Sequence, residues 1–423
     1  MDSTYSLHSS SVLASLYRKE SLVTAAGTTL LRQVPLLCGD GSMGRPVLKE
    51  ARLVSVDHGN DAIKGAMLHA HNPVLCTRRI ATAYVPARDI RAGVGVTTWQ
   101  VNDSEPFWIG EDALATQKAE SLPIGLTEER LPDQRSQHFL VACLIELLIE
   151  AGYYHRAAEA QGVYDLSLSL GVPNEEVSLT GIKDSARRTL LALYNTPYNV
   201  RRIDEEGKHS TWEIRLVEIT PYPQSFGSFA AWYYTLEGSP IETDVIRHVT
   251  LDIGGGQLHD CQVDLLHQEQ GRPKLRMSAS LLGEGTIAIA RAVRASICAR
   301  YSGVHLSDTQ AQQVLRTGIV TIGGRRTPVD DLVSEVIAAR SRNLLTLMLP
   351  LLQEGQSFVM FTGGGSILLA RSLHDLVSSQ RSAQSFLFIR RDLASVLNAI
   401  GGYLLAHSTA QRVVEKLRLS RQN

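Results

Sequence analysis

Aspartates at the ends of two apolar segments are the side chains in this sequence best suited to chemistry with phosphate. Residues 249–256 read Val-Thr-Leu-Asp-Ile-Gly-Gly-Gly, so Asp252 ends a strand-like run and three glycines follow. Glycine lacks a side chain and tolerates positive φ, so the backbone there can approach an oligophosphate and offer N–H groups. A carboxylate beside phosphate needs a cation between them, and Mg²⁺ suits that place. Taken alone, the pattern is more often a plain tight turn.

The same pattern occurs a second time, nearer the N-terminus. Residues 52–65 run from an apolar segment to Asp57 and then to a glycine turn that contains Gly59 and Asn60. Lys64 follows Asp57 by seven positions (64 − 57), a suitable reach for a phosphate oxygen. The two aspartates lie 195 residues apart (252 − 57), about the size of a domain. The repeat predicts two similar halves, each offering an Asp-Gly hairpin to one phosphate chain.

Two further glycine segments belong to the same pattern. Residues 363–365 are glycines that follow a buried-looking strand and lead into a helical stretch. Residues 283–285 read Gly-Glu-Gly and precede a predicted helix over 287–301. That segment looks like another close approach to a nucleotide, although a helix N-cap at Thr286 explains it nearly as well.

The elements that must position these turns follow from hydrophobic periodicity. Helices are predicted over residues 136–154, 183–193, 228–236, 287–301, 307–317, 328–352 and 392–405, and strands over 163–170, 199–203, 211–218 and 386–390. His69 and His71 are predicted to share one strand face, which would suit a metal. No carboxylate or cysteine accompanies them at ligand spacing, so we expect no metal there.

Composition bounds the function classes. The 423 residues suffice for two domains, and 44% hydrophobic and 20% charged residues describe an ordinary globular protein. A net charge of −1 excludes the broad basic field that holds nucleic acid. Five widely spaced cysteines argue against a disulfide framework or a zinc site and favour the cytoplasm. The apolar runs are too short to span a membrane.

The ordered set of motifs resembles the actin-like ATPases, within the wider actin, Hsp70 and sugar-kinase superfamily. The nearer likeness is to the ParM-type bacterial and archaeal actins that segregate plasmids, and it runs from about Lys49 to the C-terminus. In that family a glutamate or glutamine after a proline begins the helix between the lobes and is directed at the attacking water; Gln224 matches that place. Residues 398–403 resemble the family's second connection, where a glycine, here Gly401, lets two helices pack closely.

The resemblance implies an α/β fold of the actin-like two-lobed type, with duplicated ribonuclease H-like domains and small inserted subdomains. It divides the chain into an N-terminal extension (1–46), a first lobe (47–223, with 398–423 packing back onto it), an interlobe connection (224–244) and a second lobe (245–397). The extension has no counterpart in the family. An interaction arm, a packed extension and residues upstream of the functional start are all open interpretations of it.

The resemblance also implies a function. We expect a cytoplasmic ATPase that polymerises when it binds ATP and uses Mg²⁺-dependent hydrolysis to time disassembly, for plasmid segregation or intracellular organisation. The expected partners are further copies of the chain and a DNA-binding adaptor protein, with no direct nucleic acid and no membrane. The expected cofactors are ATP or ADP and Mg²⁺.

The implied site residues fall into three groups. The catalytic residues are Asp57, Gln224 and Asp252, and the two aspartates would also hold Mg²⁺, largely through water. The nucleotide contacts are Gly59, Asn60, Lys64, Gly254, Gly255, Gly256, Gly283, Glu284, Gly363, Gly364 and Gly365. Glutamine at 224, where the nearest family members often have glutamate, leaves room for slower or differently tuned hydrolysis.

Non-polymerising members of the superfamily are the alternative. Phosphatases of the polyphosphate type usually continue the triple glycine with a serine and then a glutamate, whereas here residues 257–259 read Gln-Leu-His. Kinases of this fold need an aspartate base that faces the sugar, and the sequence identifies none. A nucleotide-binding scaffold without turnover is disfavoured by the intact Asp57, Lys64, Gln224 and Asp252.

Overall fold

The structure is a computed structural model of the chain. It describes residues 11–18, 29–34, 47–72, 74–87, 95–116, 120–122, 126–153, 162–178, 181–194, 196–235, 238–269, 272–352, 357–378 and 386–407. Contacts divide these residues into two compact units. The first unit holds 11–242 and 396–407, and the second holds 243–395. The predicted lobe boundaries were 244/245 and 397/398.

The first unit is a mixed sheet with helices. Its strands are β1 (Thr29–Val34), β2 (Val47–His58), β3 (Ala62–Leu68), β4 (Leu75–Ala81), β5 (Ala83–Pro86), β6 (Thr98–Val101), β7 (Phe107–Ile109), β8 (Glu120–Ser121), β9 (Gly162–Val172), β10 (Val177–Ser178), β11 (Gly181–Ile182), β12 (Pro197–Ile203) and β13 (His209–Pro223). Its helices are α1 (Val12–Tyr17), α2 (Gly110–Leu114), α3 (Thr127–Arg130), α4 (Gln134–Glu150), α5 (Asp184–Leu193), α6 (Gln224–Tyr233) and α12 (397–407).

The second unit repeats part of this plan. Its strands are β14 (Arg247–Ile253), β15 (Gln257–Glu269), β16 (Arg272–Leu282), β17 (Ile319–Ile322), β18 (Arg325–Pro328), β19 (Ser357–Thr362) and β20 (Phe386–Phe388). Its helices are α7 (Thr286–Arg300), α8 (Asp308–Thr317), α9 (Asp330–Leu352), α10 (Gly364–Ser378) and α11 (Arg391–Ala394).

Five strands in each unit follow one topology. The order is β4-β3-β2-β9-β13 in the first unit and β16-β15-β14-β19-β20 in the second. In both, the first two pairings are antiparallel and the next two are parallel. The strand that carries the aspartate, β2 or β14, lies between its hairpin partner and a parallel neighbour. Because of this placement, the turn after each aspartate emerges at the carboxyl edge of the parallel strands, where α/β sheets commonly bind ligands.

The cores explain why these strands are apolar. In the first unit Leu166, Leu168 and Leu170 of β9 are buried against helix α4. Asp133 caps α4, since its carboxylate accepts a 2.9 Å hydrogen bond from the Ser136 N–H. In the second unit Val249 and Leu251 of β14 are buried in a separate cluster.

The described part of the N-terminal extension packs on the first unit. Strand β1 pairs antiparallel with β2, and the Val12 N–H donates a 3.0 Å hydrogen bond to the Tyr234 carbonyl. The Val12 side chain is fully buried in a cluster that includes Leu53 and Tyr403. Of the three interpretations, the packed extension describes residues 11–18 and 29–34.

Several predicted elements differ from the structure. The connecting helix begins at Gln224, directly after Pro223 (φ −63°), as the family resemblance implied, but it ends at Tyr233 and not at residue 236. The helix predicted over 392–405 is interrupted at 395–396. The prediction that His69 and His71 share a strand face was wrong, because β3 ends at Leu68. The His71 N–H donates a 3.1 Å hydrogen bond to His69 Nδ1 in the bend that follows. In the part of the chain with described placement, no helix is long and apolar enough to cross a membrane.

Candidate functional site

The Asp57 hairpin brings an aspartate and a lysine together. Asp57 and Lys64 are cross-strand partners in the β2–β3 register, so both side chains lie on the same face of the hairpin. Lys64 Nζ lies 3.3 Å from Asp57 Oδ2, and Asp57 is only 4% exposed. The spacing of seven residues noted in the sequence is therefore the spacing of two facing positions in a tight hairpin.

Gln224 completes this group from a distant part of the chain. It is the first residue of α6, and its Nε2 donates to Asp57 Oδ1 (2.9 Å) and to the His58 carbonyl (3.4 Å). An ionised carboxylate only accepts hydrogen bonds, so the amide nitrogen must face Asp57. This orientation directs Oε1 of Gln224 away from Asp57, where it can act as an acceptor.

The turn of this hairpin needs glycine for space. A Cβ at Gly59 would lie 2.5 Å from Lys64 Nζ and 2.8 Å from the Ala62 carbonyl oxygen. Real Cβ atoms do not approach other atoms so closely. A side chain at position 59 would therefore displace the lysine from Asp57.

Arg130, which the sequence analysis did not identify, forms hydrogen bonds to the same turn from the end of α3. This fully buried residue ends α3, and its guanidinium donates through Nη1 to the His58 carbonyl and through Nη2 to Asn60 Oδ1 (2.6 Å). Burial lowers the pKa of Arg130 to about 10, so it stays charged at neutral pH. The side-chain oxygen of Asn60, a predicted nucleotide contact, is thus engaged by Arg130.

A buried glutamate supports the segment that carries Arg130. Glu176 Oε1 accepts hydrogen bonds from the N–H groups of Thr127 and Glu128 (3.4 Å for Glu128) at the start of α3. Burial raises the pKa of Glu176 to about 7, despite these two bonds and the Arg130 charge, which lower it. The His58 ring is also buried, and its pKa is lowered by burial and by the charges of Arg130 and Lys64, so it is neutral.

In the second unit the Asp252 hairpin meets the triple glycine of 363–365. Asp252 is 7% exposed, is the next-to-last residue of β14 and lies opposite Thr362 of β19. A Cβ at Gly363, whose φ is +82°, would overlap the Asp252 carboxylate and lie 2.6 Å from the Ile253 carbonyl oxygen. The absence of a side chain at 363 therefore lets the Asp252 carboxylate lie beside the N-terminal end of α10.

Residues 254–256 and 283–287 form one backbone cluster. The carbonyls of Gly254, Gly255 and Gly256 accept hydrogen bonds from the N–H groups of Thr286 (3.0 Å), Ile287 (2.9 Å) and Gly283 (3.1 Å). In a planar trans peptide the C=O and the following N–H point in opposite directions. The N–H groups of Gly255 and Gly256 therefore face away from α7, as an anion-binding turn requires.

The remaining predicted contacts lie nearby in the second unit. The Glu284 carboxylate forms an ion pair with Arg340 of α9, which also donates to the Glu284 carbonyl (2.9 Å). A Cβ at Gly364 would meet nothing within 4 Å, whereas one at Gly365 would lie 2.9 Å from the Ile253 carbonyl oxygen.

The structure thus brings the predicted residues together in two groups. One group, in the first unit, contains Asp57, Gly59, Asn60, Lys64 and Gln224. The other, in the second unit, contains Asp252 and the glycines of 254–256, 283 and 363–365, with Glu284 at its edge. Within the described ranges, no three His, Cys, Asp or Glu side chains cluster as a metal site would require.

Comparisons with known proteins agree with this architecture. No family model matches the chain, and no curated protein does. Among solved structures, the archaeal actin homologue Ta0583 in complex with ADP is 17% identical, with a TM-score of 0.60 over 84% of this chain and 99% of that one. A 15-stranded ParM filament from Clostridium botulinum is 15% identical (TM-score 0.61; 85% and 99%). The actin-like protein Alp7A is 12% identical (TM-score 0.63; 88% and 99%). The chain therefore has the actin-like fold.

Proposed function

We propose that the chain binds and hydrolyses ATP with Mg²⁺ and forms filaments of its own copies that assemble with ATP and disassemble after hydrolysis. The observation that carries the proposal is the pair of buried aspartates, Asp57 and Asp252, each at the glycine turn of the same five-strand topology. In this proposal each turn offers its backbone N–H groups to nucleotide phosphate. ADP in the Ta0583 structure and the ParM filament support the nucleotide and the assembly, respectively.

The donor set fits Mg²⁺ better than a metal that needs an all-protein cage. Each hairpin contributes one buried carboxylate, and no cluster of three ligands occurs in the described part of the chain. Mg²⁺ usually takes one or two carboxylates and completes its octahedron with water and phosphate oxygens. Bound there, it would neutralise phosphate charge, while Asp57 and Asp252 would hold it largely through water.

Phosphoryl transfer to water depends on positioning and charge more than on covalent chemistry. Lys64 adds a positive charge beside Asp57, and the N–H groups of Gly255 and Gly256 add donors for phosphate oxygens. Gln224 cannot take a proton as a carboxylate can. Its Nε2 is fixed on Asp57 and His58, so we assign Oε1 the task of accepting a hydrogen bond from the attacking water and orienting it.

The first test concerns the metal and the aspartates. We expect Mg²⁺-dependent phosphate release from ATP by the full-length protein, with most of it lost in Asp252→Ala. Asp244→Ala is the matched control, because Asp244 is an exposed aspartate of the same unit. Hydrolysis by Asp252→Ala at the wild-type rate would show that the assigned site is wrong.

The second test separates ATP binding from hydrolysis. Gln224→Ala should bind ATP, hydrolyse it about 10²-fold more slowly, and form filaments that disassemble more slowly than those of the wild type. Light scattering and phosphate release are followed in parallel with ATP, ADP and no nucleotide. If wild type assembles and the ATP-bound variant never does, hydrolysis does not act as a timer. If neither protein assembles under any nucleotide, an ATPase of the same fold that does not polymerise replaces the filament proposal.

A further inference from the structure

The feature that the proposed function leaves unexplained is a buried arginine beneath the phosphate hairpin of the first unit. Arg130 is 2% exposed, although arginine is among the residues least often fully buried. Burying a charge is unfavourable unless hydrogen bonds compensate for it. Two acceptors of its hydrogen bonds belong to the turn that follows Asp57, namely the His58 carbonyl and Asn60 Oδ1.

These two contacts fix the ends of the turn. The His58 carbonyl belongs to the peptide that joins His58 to Gly59 at the start of the turn, and Asn60 follows Gly59 at its end. A guanidinium presents its donors in a rigid plane, so one Arg130 side chain sets the spacing between both acceptors. Gln224 Nε2 reaches the same His58 carbonyl at 3.4 Å, so the turn is held from two separate elements, α3 and α6.

Neighbouring groups keep Arg130 in place. The segment that carries it, α3, is tied to the short helical turn after β9 (Asn174–Glu176) through Glu176, whose carboxylate accepts from the Thr127 and Glu128 N–H groups. Glu176, Asp57 and Glu129 supply the negative potential that offsets burial of the charge. The His58 ring is buried and neutral, and neither of its nitrogens makes a hydrogen bond to a described residue.

We propose that Arg130 is a positioning residue that holds the 58–60 turn in the conformation that receives the nucleotide phosphates. This inference rests on the proposed nucleotide site. Nη1 and Nη2 of Arg130 both donate to the turn, so it acts through the His58 carbonyl and the Asn60 side chain and not by contact with phosphate. This turn directly follows Asp57, and Gly59 within it lies close to Lys64 Nζ. Loss of the arginine should therefore weaken recognition of the phosphates while leaving recognition of the nucleoside unchanged.

The test uses Arg130→Gln and Arg130→Lys in the full-length protein, with Arg135→Gln as the matched control. Arg135 lies five positions away (135 − 130) on the same segment, is exposed and pairs with Asp133. Affinities for Mg²⁺-ADP and for adenosine are measured by calorimetry. We expect Arg130→Gln to weaken ADP binding about tenfold or more, since bonds to a charged donor are lost, with adenosine binding unchanged. Arg130→Lys should be intermediate, because it keeps the charge and loses the two-pronged geometry.

Hydrogen exchange of the nucleotide-free proteins gives a readout that does not require binding. Arg130→Gln should speed exchange of the amides at 59–62 while those of the β9 and β13 ladders keep their wild-type rates. If Arg130→Gln does not fold, the binding and hydrogen-exchange measurements are both made on Arg130→Lys.

The outcomes separate this inference from the proposed function. Wild-type protein that binds neither ADP nor ATP refutes the nucleotide site, and with it the role of Arg130 towards phosphate. If the wild type binds ADP and both Arg130 variants bind it with the wild-type affinity, the inference about Arg130 is refuted and the proposed function stands. A loss of the same factor for ADP and adenosine, or faster exchange throughout the unit, would mean that Arg130 serves only the stability of the fold.

Discussion

The titration of Glu176 gives a quantitative test of the buried network under the first hairpin. Its carboxyl lies in the interior of the first unit beside Arg130, and two opposing effects act on it. Burial disfavours the charged form, whereas Arg130 and two backbone N–H groups favour it. Burial prevails, so the pKa rises from 4.5 to about 7.

A carboxyl that holds its proton more tightly in the folded state couples stability to pH. The folded state then binds more protons than the unfolded state between pH 4.5 and 7, so the free energy of unfolding falls as the pH rises. The contribution is fully present below about pH 4.5 and is lost as the pH rises through 7. At 1.36 kcal/mol per pKa unit it amounts to about 3 kcal/mol in total, of which about 2 kcal/mol changes between about pH 5.5 and 8.

Glu176→Gln removes the titration and keeps an oxygen that can accept from Thr127 and Glu128. The difference in unfolding free energy between the variant and the wild type should therefore shift by about 2 kcal/mol in favour of the variant from about pH 5.5 to 8. Any constant cost of the new amide does not change with pH and cancels in this difference.

Urea unfolding followed by tryptophan fluorescence is the assay. All four tryptophans, at 99, 108, 212 and 232, lie in the first unit, so the signal reports the unit that contains Glu176. Glu205→Gln, an exposed glutamate in the turn between β12 and β13, is the control and should follow the wild-type curve. If Glu176→Gln also follows the wild type at every pH, Glu176 is ionised in the folded protein and Arg130 outweighs burial.

Two further predictions concern packing in the first unit. A Cβ at Gly401 would overlap the Gly227 carbonyl oxygen, a backbone atom that cannot rotate away. Gly401→Ala should therefore lower the unfolding free energy by about 3 kcal/mol. Leu405→Ala, at a half-buried position of the same helix, is the control and should lower it by less. An unchanged urea midpoint in Gly401→Ala would show that α6 and α12 do not pack this closely. Leu13→Ala should cost about 2–5 kcal/mol because Leu13 is fully buried, and a wild-type midpoint in that variant would place α1 outside the core.

The hairpins were predictable because their information is local. An apolar run, an aspartate and glycines within a few positions specify a strand, its end and its turn. The facing of Asp57 and Lys64 then follows from a tight antiparallel register. The actin-like fold was predictable for a different reason, because the order of several such motifs along the chain resembled a family, and the fold comparison confirms it.

The support of the hairpins was not predictable, because it depends on contacts between distant positions. Arg130 reaches His58 across 72 residues, and Glu176 reaches Thr127 across 49. Residues 128–133 read Glu-Glu-Arg-Leu-Pro-Asp, a charged stretch typical of a solvated loop. The arginine is buried where α3 packs against α5 and is hydrogen-bonded to Glu176, both distant in sequence. Leu131, fully buried directly after it, was the one local signal that this stretch enters the core.

The two aspartate hairpins share a topology, yet they are held by different interactions. Side chains hold the first: Lys64 and Gln224 engage Asp57, and Arg130 engages the turn. Backbone hydrogen bonds hold the second, where the carbonyls of residues 254–256 accept from the N–H groups of 283, 286 and 287. Charged side-chain contacts respond to pH and to charge substitution, whereas backbone bonds between glycine segments respond to added side-chain bulk. Loss of the charge of Lys64 or Arg130 should therefore alter the Asp57 turn, and a Cβ at Gly285, which would lie 2.7 Å from the Gln257 nitrogen, should alter the Asp252 turn.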